Sequence, residues 1–364
     1  MPPTSPPRAW AEIEISALKH NLDFARRHSG CAAMAVVKAG AYGHGLEEIA
    51  RALAAEDVAF FGVANVGEAR RIADAGVSTP IYLLGATWAG ERQEIIARGW
   101  VPCLSTLEEA RQFSELAVAA GKRLTCHLAV DTGMGRGGFV AEHLPEIMTR
   151  LEALPGLHID GIGSHLPSAD EDEAFTRSQC ALFADIVEQL GGQARFRWIH
   201  LGNSAGLLGY DRNLCNLVRP GLMLYGISPL PAHADCLRNV MTLKSRVTLT
   251  RTLPAGHGVS YGRAYITTRP TTVATIGIGY GDGYPRHLSG QGAEVLIRGQ
   301  RFPVLGRVTM DQIMIDVTGS TVTPGDEVEL FGPHIRVDEI AAKAGTIAWE
   351  ILTGITPRVT RIHV

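Results

Sequence analysis

The chain is expected to fold as a (β/α)8 TIM barrel followed by a mainly β C-terminal domain, and three observations predict this. Between Ala32 and about Tyr225, short apolar runs of strand length alternate with amphipathic stretches of helical period. Beyond Pro229 the texture changes to β-branched alternation punctuated by glycine and proline. At 364 residues the chain exceeds the size at which one hydrophobic core stops growing, so two domains are expected.

The strand candidates are Ala33–Lys38, Phe60–Ala64, Ile81–Leu84, Val101–Leu104, Leu124–Val130, Ile159–His165, Trp198–Leu201 and Asn216–Arg219. Between them, Leu46–Ala55, Glu68–Ala75, Glu91–Ala97, Thr106–Ala119, Leu144–Leu154 and Asp172–Leu190 carry apolar residues at helical spacing. Eight such strands with intervening helices describe a closed barrel. A doubly wound open sheet is the alternative, because periodicity does not report closure. From Thr242 onward, segments such as Lys244–Leu249 and Thr271–Ile276 alternate in the β manner, with Pro254, Gly256, Gly258, Gly299, Pro303, Gly306, Pro324 and Gly325 between them.

Hydrophobic content of 46% and charged content of 20% belong to an ordinary globular protein, and a net charge of −3 gives no reason to expect nucleic acid or an anionic membrane as partner. A small-molecule partner is expected, and no metal. The six cysteines, Cys31, Cys103, Cys126, Cys180, Cys215 and Cys236, are scattered without a C-x-x-C pair and read as reduced core thiols. Residues 1–8 form a proline-rich tail without an apolar signal core, and no stretch approaches a membrane span, so a cytoplasmic location is expected.

Lys38 ends the first apolar run, and Ala39-Gly40-Ala41-Tyr42-Gly43-His44-Gly45 follows at once. A lysine at the mouth of a buried strand, beside glycines that let backbone approach a ligand, suits an amine kept neutral enough to attack a carbonyl and form an imine. Other polar residues follow strands at the same predicted end: Asp131 with Thr132-Gly133-Met134-Gly135-Arg136, then His165, Asn203-Ser204 and Arg219-Pro220-Gly221. Each alone reads as well as a loop residue, Ser204 as a helix N-cap and Gly221 as a turn. Gathered at the carboxyl ends of one barrel's strands, they describe a site, with Ser204, Gly221 and Leu222 in the loops where barrels commonly hold phosphate.

The segment from Ala35 to Gly45 resembles the pyridoxal-phosphate lysine motif of alanine racemases, with Gly40 where asparagine is usual. The resemblance extends through Trp10-Ala11-Glu12-Ile13, the Asp131–Arg136 segment, His165 with Ser168–Glu171, Asn203-Ser204-Ala205, Arg219-Pro220-Gly221 and Leu224-Tyr225-Gly226. It continues through Val259-Ser260-Tyr261-Gly262, Gly279–Arg286 and Gly306–Gln312. It implies a homodimer that binds pyridoxal 5'-phosphate and interconverts L- and D-alanine to supply cell-wall synthesis. Lys38 would hold the cofactor and serve as base for D-alanine, and Tyr261 of the partner subunit would act on L-alanine. Arg219 would face the pyridine nitrogen, supported by His165. A guanidinium disfavours protonation there, weakening the electron sink and limiting side reactions.

Tyr42, Ser204, Gly221 and Leu222 would hold the phosphate. Arg136 would meet the cofactor's phenolic oxygen and the substrate carboxylate, with the Met310 backbone beside it. Asp170, Tyr280, Arg286 and Arg307 would line the passage to solvent. The resemblance implies that residues 9–16 join the C-terminal domain as a strand, with the barrel over 17–234 and the β domain over 235–364. Two departures stand out. Ala129 replaces a lysine that commonly braces the active-site arginine, and Trp349 replaces a tyrosine near the phosphate and substrate, which is expected to alter both contacts.

Alternatives remain at this level. A serine or broad-specificity racemase would use the same catalytic pair, a decarboxylase would share the architecture, and a cofactor carrier would keep Lys38 yet have little use for Tyr261.

Overall fold

The computed structural model describes residues 7–364, which fall into two compact units. One comprises Leu18–Ala41 and Leu46–Arg238; the other comprises residues up to Ala17, the short segment Tyr42–Gly45, and Asn239–Val364.

The chain enters through β1 (Ala9–Ile13) and α1 (Ile15–Ser29), a helix absent from the periodic stretches read in the sequence. The barrel follows as β2 (Ala32–Val36), α2 (Leu46–Ala54), β3 (Phe60–Val63), α3 (Val66–Asp74), β4 (Ile81–Leu83), α4 (Arg92–Arg98), β5 (Val101–Leu104) and α5 (Leu107–Ala119). It continues with β6 (Leu124–Asp131), α6 (Leu144–Glu152), β7 (Leu157–Gly163), α7 (Glu173–Gln189), β8 (Trp198–His200), α8 (Ser204–Gly209) and β9 (Leu217–Val218). The eight strands β2 to β9 pair in parallel with their sequence neighbours, and β9 returns to β2 through Leu217↔Ala32. The sheet is closed, which excludes the open doubly wound alternative.

Strand composition and helix amphipathicity explain the closure. Every residue of β3 and of β5 is buried, as strands covered on both faces require. In α2 the buried residues Leu46, Ile49, Ala50 and Leu53 fall at one helical face. Asn65, Thr106 and Asp172 each accept the amide of the third residue of the following helix, which fixes where α3, α5 and α7 begin.

The second unit holds β10 (Met241–Leu253), β11 (Thr271–Ile276), β12 (Glu294–Ile297), β13 (Gln300–Leu305), β14 (Ile313–Asp316), β15 (Glu327–Phe331), α9 (Val337–Ala344), α10 (Ala348–Gly354) and β16 (Thr360–His363). Its sheet runs β11-β14-β13-β12-β15-β10-β1-β16, with β10 also pairing β11. Thus β1 lies between β10, antiparallel from Ala9↔Ser245 to Ile13↔Met241, and β16, parallel from Trp10↔Thr360 to Ile13↔His363.

Three expectations are corrected. The first barrel strand stops at Val36, and Lys38 opens a turn instead of closing a strand. Of the expected tail, Met1–Pro6 lie outside the described residues, but Arg8 is fastened by Gly277 O at 2.7 Å, Asp311 O at 3.0 Å and Asp282 Oδ1 at 2.7 Å. Five cysteines are buried free thiols, whereas Cys236 is exposed because it lies in the 3-10 turn Pro231–Cys236.

Candidate active site

Directly after β2 the backbone coils the wrong way for L-residues. Ala39, Gly40, Ala41 and Tyr42 have φ of 53°, 65°, 56° and 51°, a left-handed turn. Each non-glycine residue there costs roughly 1–2 kcal/mol. The turn is pinned at its start. Glu68 Oε1 accepts the Ala39 amide at 2.6 Å while its Oε2 accepts that of Ala64 at 2.9 Å. Glu68 is itself held, since Asn65 Oδ1 accepts its amide. Gly40, at φ 65°, adopts this conformation at no steric cost. Lys38 therefore leaves the strand end half-buried. Burial, then the Arg136 guanidinium, pull its pKa below the ordinary lysine value, and Glu68 opposes them.

Arg219, directly after β9, is 6% exposed and has no carboxylate partner among the described residues. Its Nη2 donates to Ser164 O (2.7 Å), Leu201 O (3.0 Å) and His165 Nδ1 (3.2 Å), and its Nη1 to His200 Nδ1 (2.7 Å). A guanidinium only donates, so His200 Nδ1 is the acceptor and its Nε2 carries the proton. That proton points to His127 Nδ1 at 2.9 Å, which puts the remaining proton of His127 on Nε2, beside the rings of Phe60 and Tyr82 and without a partner among the described residues. Burial and the Arg219 charge depress all three imidazoles, His127 and His165 to about 3 and His200 well below its ordinary value. Arg219 is thus a buried cation surrounded by neutral acceptors.

Glycines make room for this chain of rings. A Cβ on Gly161 would lie 2.7 Å from the His127 ring, and one on Gly163 would run into that of His200.

In the loops after β8 and β9, the cap of α8 is Asn203, whose Oδ1 accepts the Gly206 amide; Ser204, read as the cap, is the first helical residue. That one-residue shift frees the Ser204 hydroxyl to reach across to the next loop, where it accepts the amides of Gly221 at 3.0 Å and Met223 at 3.3 Å. Leu222 lies between them, buried. The Asp131 carboxylate accepts the amides of Gly133, Met134 and Gly135, shaping the loop that presents the exposed Arg136. Burial opposes its ionisation, but these donors hold its pKa below the ordinary range. Ala129 is half-buried in the apolar cluster of Met34, Phe60 and Tyr82. Asp170 is exposed in the turn before α7.

In the second unit the candidates converge on four consecutive residues, Arg307 to Met310. Ser260 Oγ donates to Arg307 O at 2.6 Å, which holds the turn bearing Tyr261, and Gly262 sits against the Arg307 guanidinium. Ser289 Oγ accepts the Val308 amide and ties down the Arg286–Leu288 turn. The Tyr280 amide donates to Thr309 O and that of Gly281 to Met310 O. Side chains on Gly279 or Gly281 would strike the carbonyls of Thr309 and Met310, so these glycines permit a backbone approach. Tyr261 stands 70% exposed, with Met310 and Tyr280 also open to solvent. Tyr42 is buried, with its pKa pushed up to about 12, and Trp349 is half-buried on α10.

The structure thus joins Lys38, Arg136, His165 and Arg219 electrostatically in one unit, with Ser204 hydrogen-bonded to Gly221. It gathers Tyr261, Tyr280, Arg286, Arg307 and Met310 in the other. Sequence reasoning missed Glu68, His127 and His200. The signal for the histidines was a polar residue inside each of two apolar strands. Among the described residues no cluster of potential metal ligands occurs, and no helix is long and apolar enough to cross a membrane.

Residues 13–229 match the family described as alanine racemase, N-terminal domain, and residues 240–363 match alanine racemase, C-terminal domain. A protein from Geobacter sp. (strain M21) named alanine racemase is 40% identical over 370 residues, covering 97% of each chain. The solved alanine racemase from Streptomyces coelicolor A3(2) superposes with a TM-score of 0.91 at 38% identity over 98% of each chain. That from Bartonella henselae, crystallised with covalently bound pyridoxal phosphate, gives 0.91 at 31% identity over 99% of this chain and 100% of its own.

Proposed function

The chain belongs to the alanine racemase family, and from that premise we infer that it is a pyridoxal-phosphate-dependent isomerase interconverting L-alanine and D-alanine, with Lys38 and Tyr261 as its two acid/base groups. The residues present suit the cofactor: an amine drawn toward neutrality, a buried guanidinium with neutral partners, and a Ser204 hydroxyl whose oxygen accepts the Gly221 and Met223 amides while its own proton is left to donate. When bound, the cofactor supplies an electron-withdrawing ring that acidifies the substrate's α C–H.

The chain's own groups do the rest. Lys38 would hold the cofactor, and its amine would carry the proton on one face of the α-carbon. Tyr261 of the partner subunit carries it on the other. Arg219 would face the cofactor's pyridine nitrogen and disfavour its protonation, since its desolvated positive charge is not offset by His165 and His200, which are neutral. Arg136 and the Met310 backbone take the substrate carboxylate; Tyr42, Ser204, Gly221, Leu222 and Trp349 hold the phosphate. Asp170, Tyr280, Arg286 and Arg307 line the passage.

The exposure of Tyr261, Met310, Tyr280 and Ile266 supports a homodimer in which one protomer covers its partner. We place the enzyme in the cytoplasm, supplying D-alanine for peptidoglycan precursors. The observation that carries the reading is that the charges of Lys38 and of Arg219, whose hydrogen-bond acceptors are all uncharged, both act on His165. Borohydride reduction of cofactor-loaded protein, followed by peptide mapping, should leave the pyridoxyl group on Lys38. An adduct elsewhere, or none, would refute the assignment.

A further inference from the structure

Arg361 lies in β16, the edge strand beside β1, and its half-buried guanidinium meets backbone carbonyls rather than a carboxylate. Nη1 donates to Thr356 O (2.6 Å) and Val359 O (2.7 Å), and Nη2 to Ile355 O (2.6 Å). These three acceptors belong to the turn leaving α10. The fourth does not. Nε donates to Gly43 O at 2.9 Å, 318 positions away in sequence.

The local contacts fix the planar fork, so the remaining N–H is aimed before Gly43 arrives. Burial lowers the pKa of the group, whose acceptors here are uncharged backbone carbonyls. Two residues along the same strand, on the same face, His363 Nε2 lies 3.0 Å from His44 O. Consecutive carbonyls are thus taken by alternate residues of one strand. Gly43 itself, at φ 80°, has no room for a Cβ, because the backbone of Leu352 in α10 fills the place. His44 Nδ1 lies 2.9 Å from Tyr42 O, and His44 is fully buried.

We propose that Arg361, with His363 beside it, is a positioning residue for the phosphate end of the cofactor site: it fastens Tyr42–Gly45 to the end of α10 and so fixes where Tyr42 points. This rests on the reading of Tyr42 as a phosphate ligand. The same anchor holds the C-terminal end of the helix that carries Trp349, so one side chain sets two of the groups assigned to the phosphate. Nothing in the chain's catalytic assignment calls for a cation at this place. The geometry does.

The test compares cofactor-free parent with Arg361→Gln, Arg361→Lys and His363→Ala, measuring dissociation constants for pyridoxal 5'-phosphate and for pyridoxal, which lacks the phosphate. Arg361→Gln is expected to weaken the phosphorylated ligand about tenfold while leaving pyridoxal within about twofold, since only the phosphate contacts lose their support. Arg361→Lys should weaken it less, and it carries the test if the glutamine variant does not fold. Amide hydrogen exchange across residues 39–46 should quicken in the same variants, with α7 unchanged. Equal weakening of both ligands would mean a general loss of structure and overturn the proposal, as would unchanged affinity for the phosphorylated one. A parent in which Tyr42→Phe leaves the ratio of the two affinities unaltered would locate the failure in the reading of Tyr42 instead.

Discussion

Arg219 Nη1 and His200 Nδ1 lie 2.7 Å apart inside the barrel, and the imidazole fits there only because β7 has a glycine at the facing position, Gly163. The arginine's direction is therefore decided two residues removed, by a missing side chain. Gly163→Ala should push the His200 ring off Arg219 and cost about 1–3 kcal/mol from overpacking. Gly85→Ala, where an added Cβ meets nothing, should be near neutral. Denaturant midpoints compare the two. A Gly163→Ala protein as stable and active as Gly85→Ala would show that the ring is not confined as described.

The neutral histidines make acid stability calculable in sign. In the unfolded chain each takes a proton near pH 6.5, whereas in the folded protein His127 and His165 refuse it until about 3 and His200 holds out well below its ordinary value. Between those limits the unfolded state binds more protons, so stability rises with pH and is lost as pH falls below 6.5, by roughly 1 kcal/mol per unit for each histidine. Urea midpoints at pH 7.5, 6 and 5 should fall steeply. His127→Phe should lessen the slope by about one proton's share, and an unchanged slope would count against a neutral buried His127.

Much of the barrel was legible because strands buried on both faces must be apolar throughout and their helices must not be. Strand ends were read one residue wide at Ala64, Leu84 and Leu201, since an apolar residue can outlast the hydrogen-bonded ladder, and two wide at Lys38 and His165. The left-handed turn was not legible. Ala39 and Ala41 have no preference for it, and the Glu68 carboxylate that anchors it comes from another helix. His127 and His200 escaped for a related reason: a sequence names polar residues in strands without stating which ones face each other across the barrel. Gly161 and Gly163 were the complementary half of that message.

The two bases should fail in different ways. Lys38→Ala should lose more than about 10⁴-fold of turnover, since attachment and one proton transfer vanish together. Tyr261→Phe should lose about 10²–10⁴-fold, chiefly in proton removal from L-alanine. Deuterium wash-in followed separately from each enantiomer reads this asymmetry. Equal impairment of deuterium wash-in from both enantiomers by Tyr261→Phe would contradict the two-base assignment, whereas net racemisation must slow equally in both directions because the enantiomers are equally stable.

Trp349 offers one indole N–H on a bulky ring where the family's tyrosine offers a hydroxyl. With Trp349 beside the substrate, as the family resemblance implies, Trp349→Tyr should enlarge the space there and raise turnover of serine relative to alanine by a few-fold, within the roughly tenfold range that a single small group commands. Racemisation rates on both amino acids measure the ratio. An unaltered ratio would remove Trp349 from the specificity argument.

The loop carrying Tyr280 depends on a buried carboxylate, that of Asp282. Asp282 Oδ1 accepts from Arg8 Nη2 at 2.7 Å and faces Arg358 Nε at 3.3 Å, while Oδ2 accepts the Gly279 amide at 3.0 Å. Its side chain is almost wholly buried, whereas both arginines are over 40% exposed, so solvent screens half of each pair. Asp282→Asn keeps the shape and removes the charge, which should cost about 1–3 kcal/mol, less than the 3–5 typical of breaking a fully buried pair. The loss should then spread along the hydrogen bonds from Tyr280 and Gly281 to Thr309 and Met310, the segment proposed to meet the substrate carboxylate. KM for alanine should rise more than kcat falls. If Asp282→Asn lowers stability yet leaves KM untouched, the network supports the fold of the second unit without governing access to substrate.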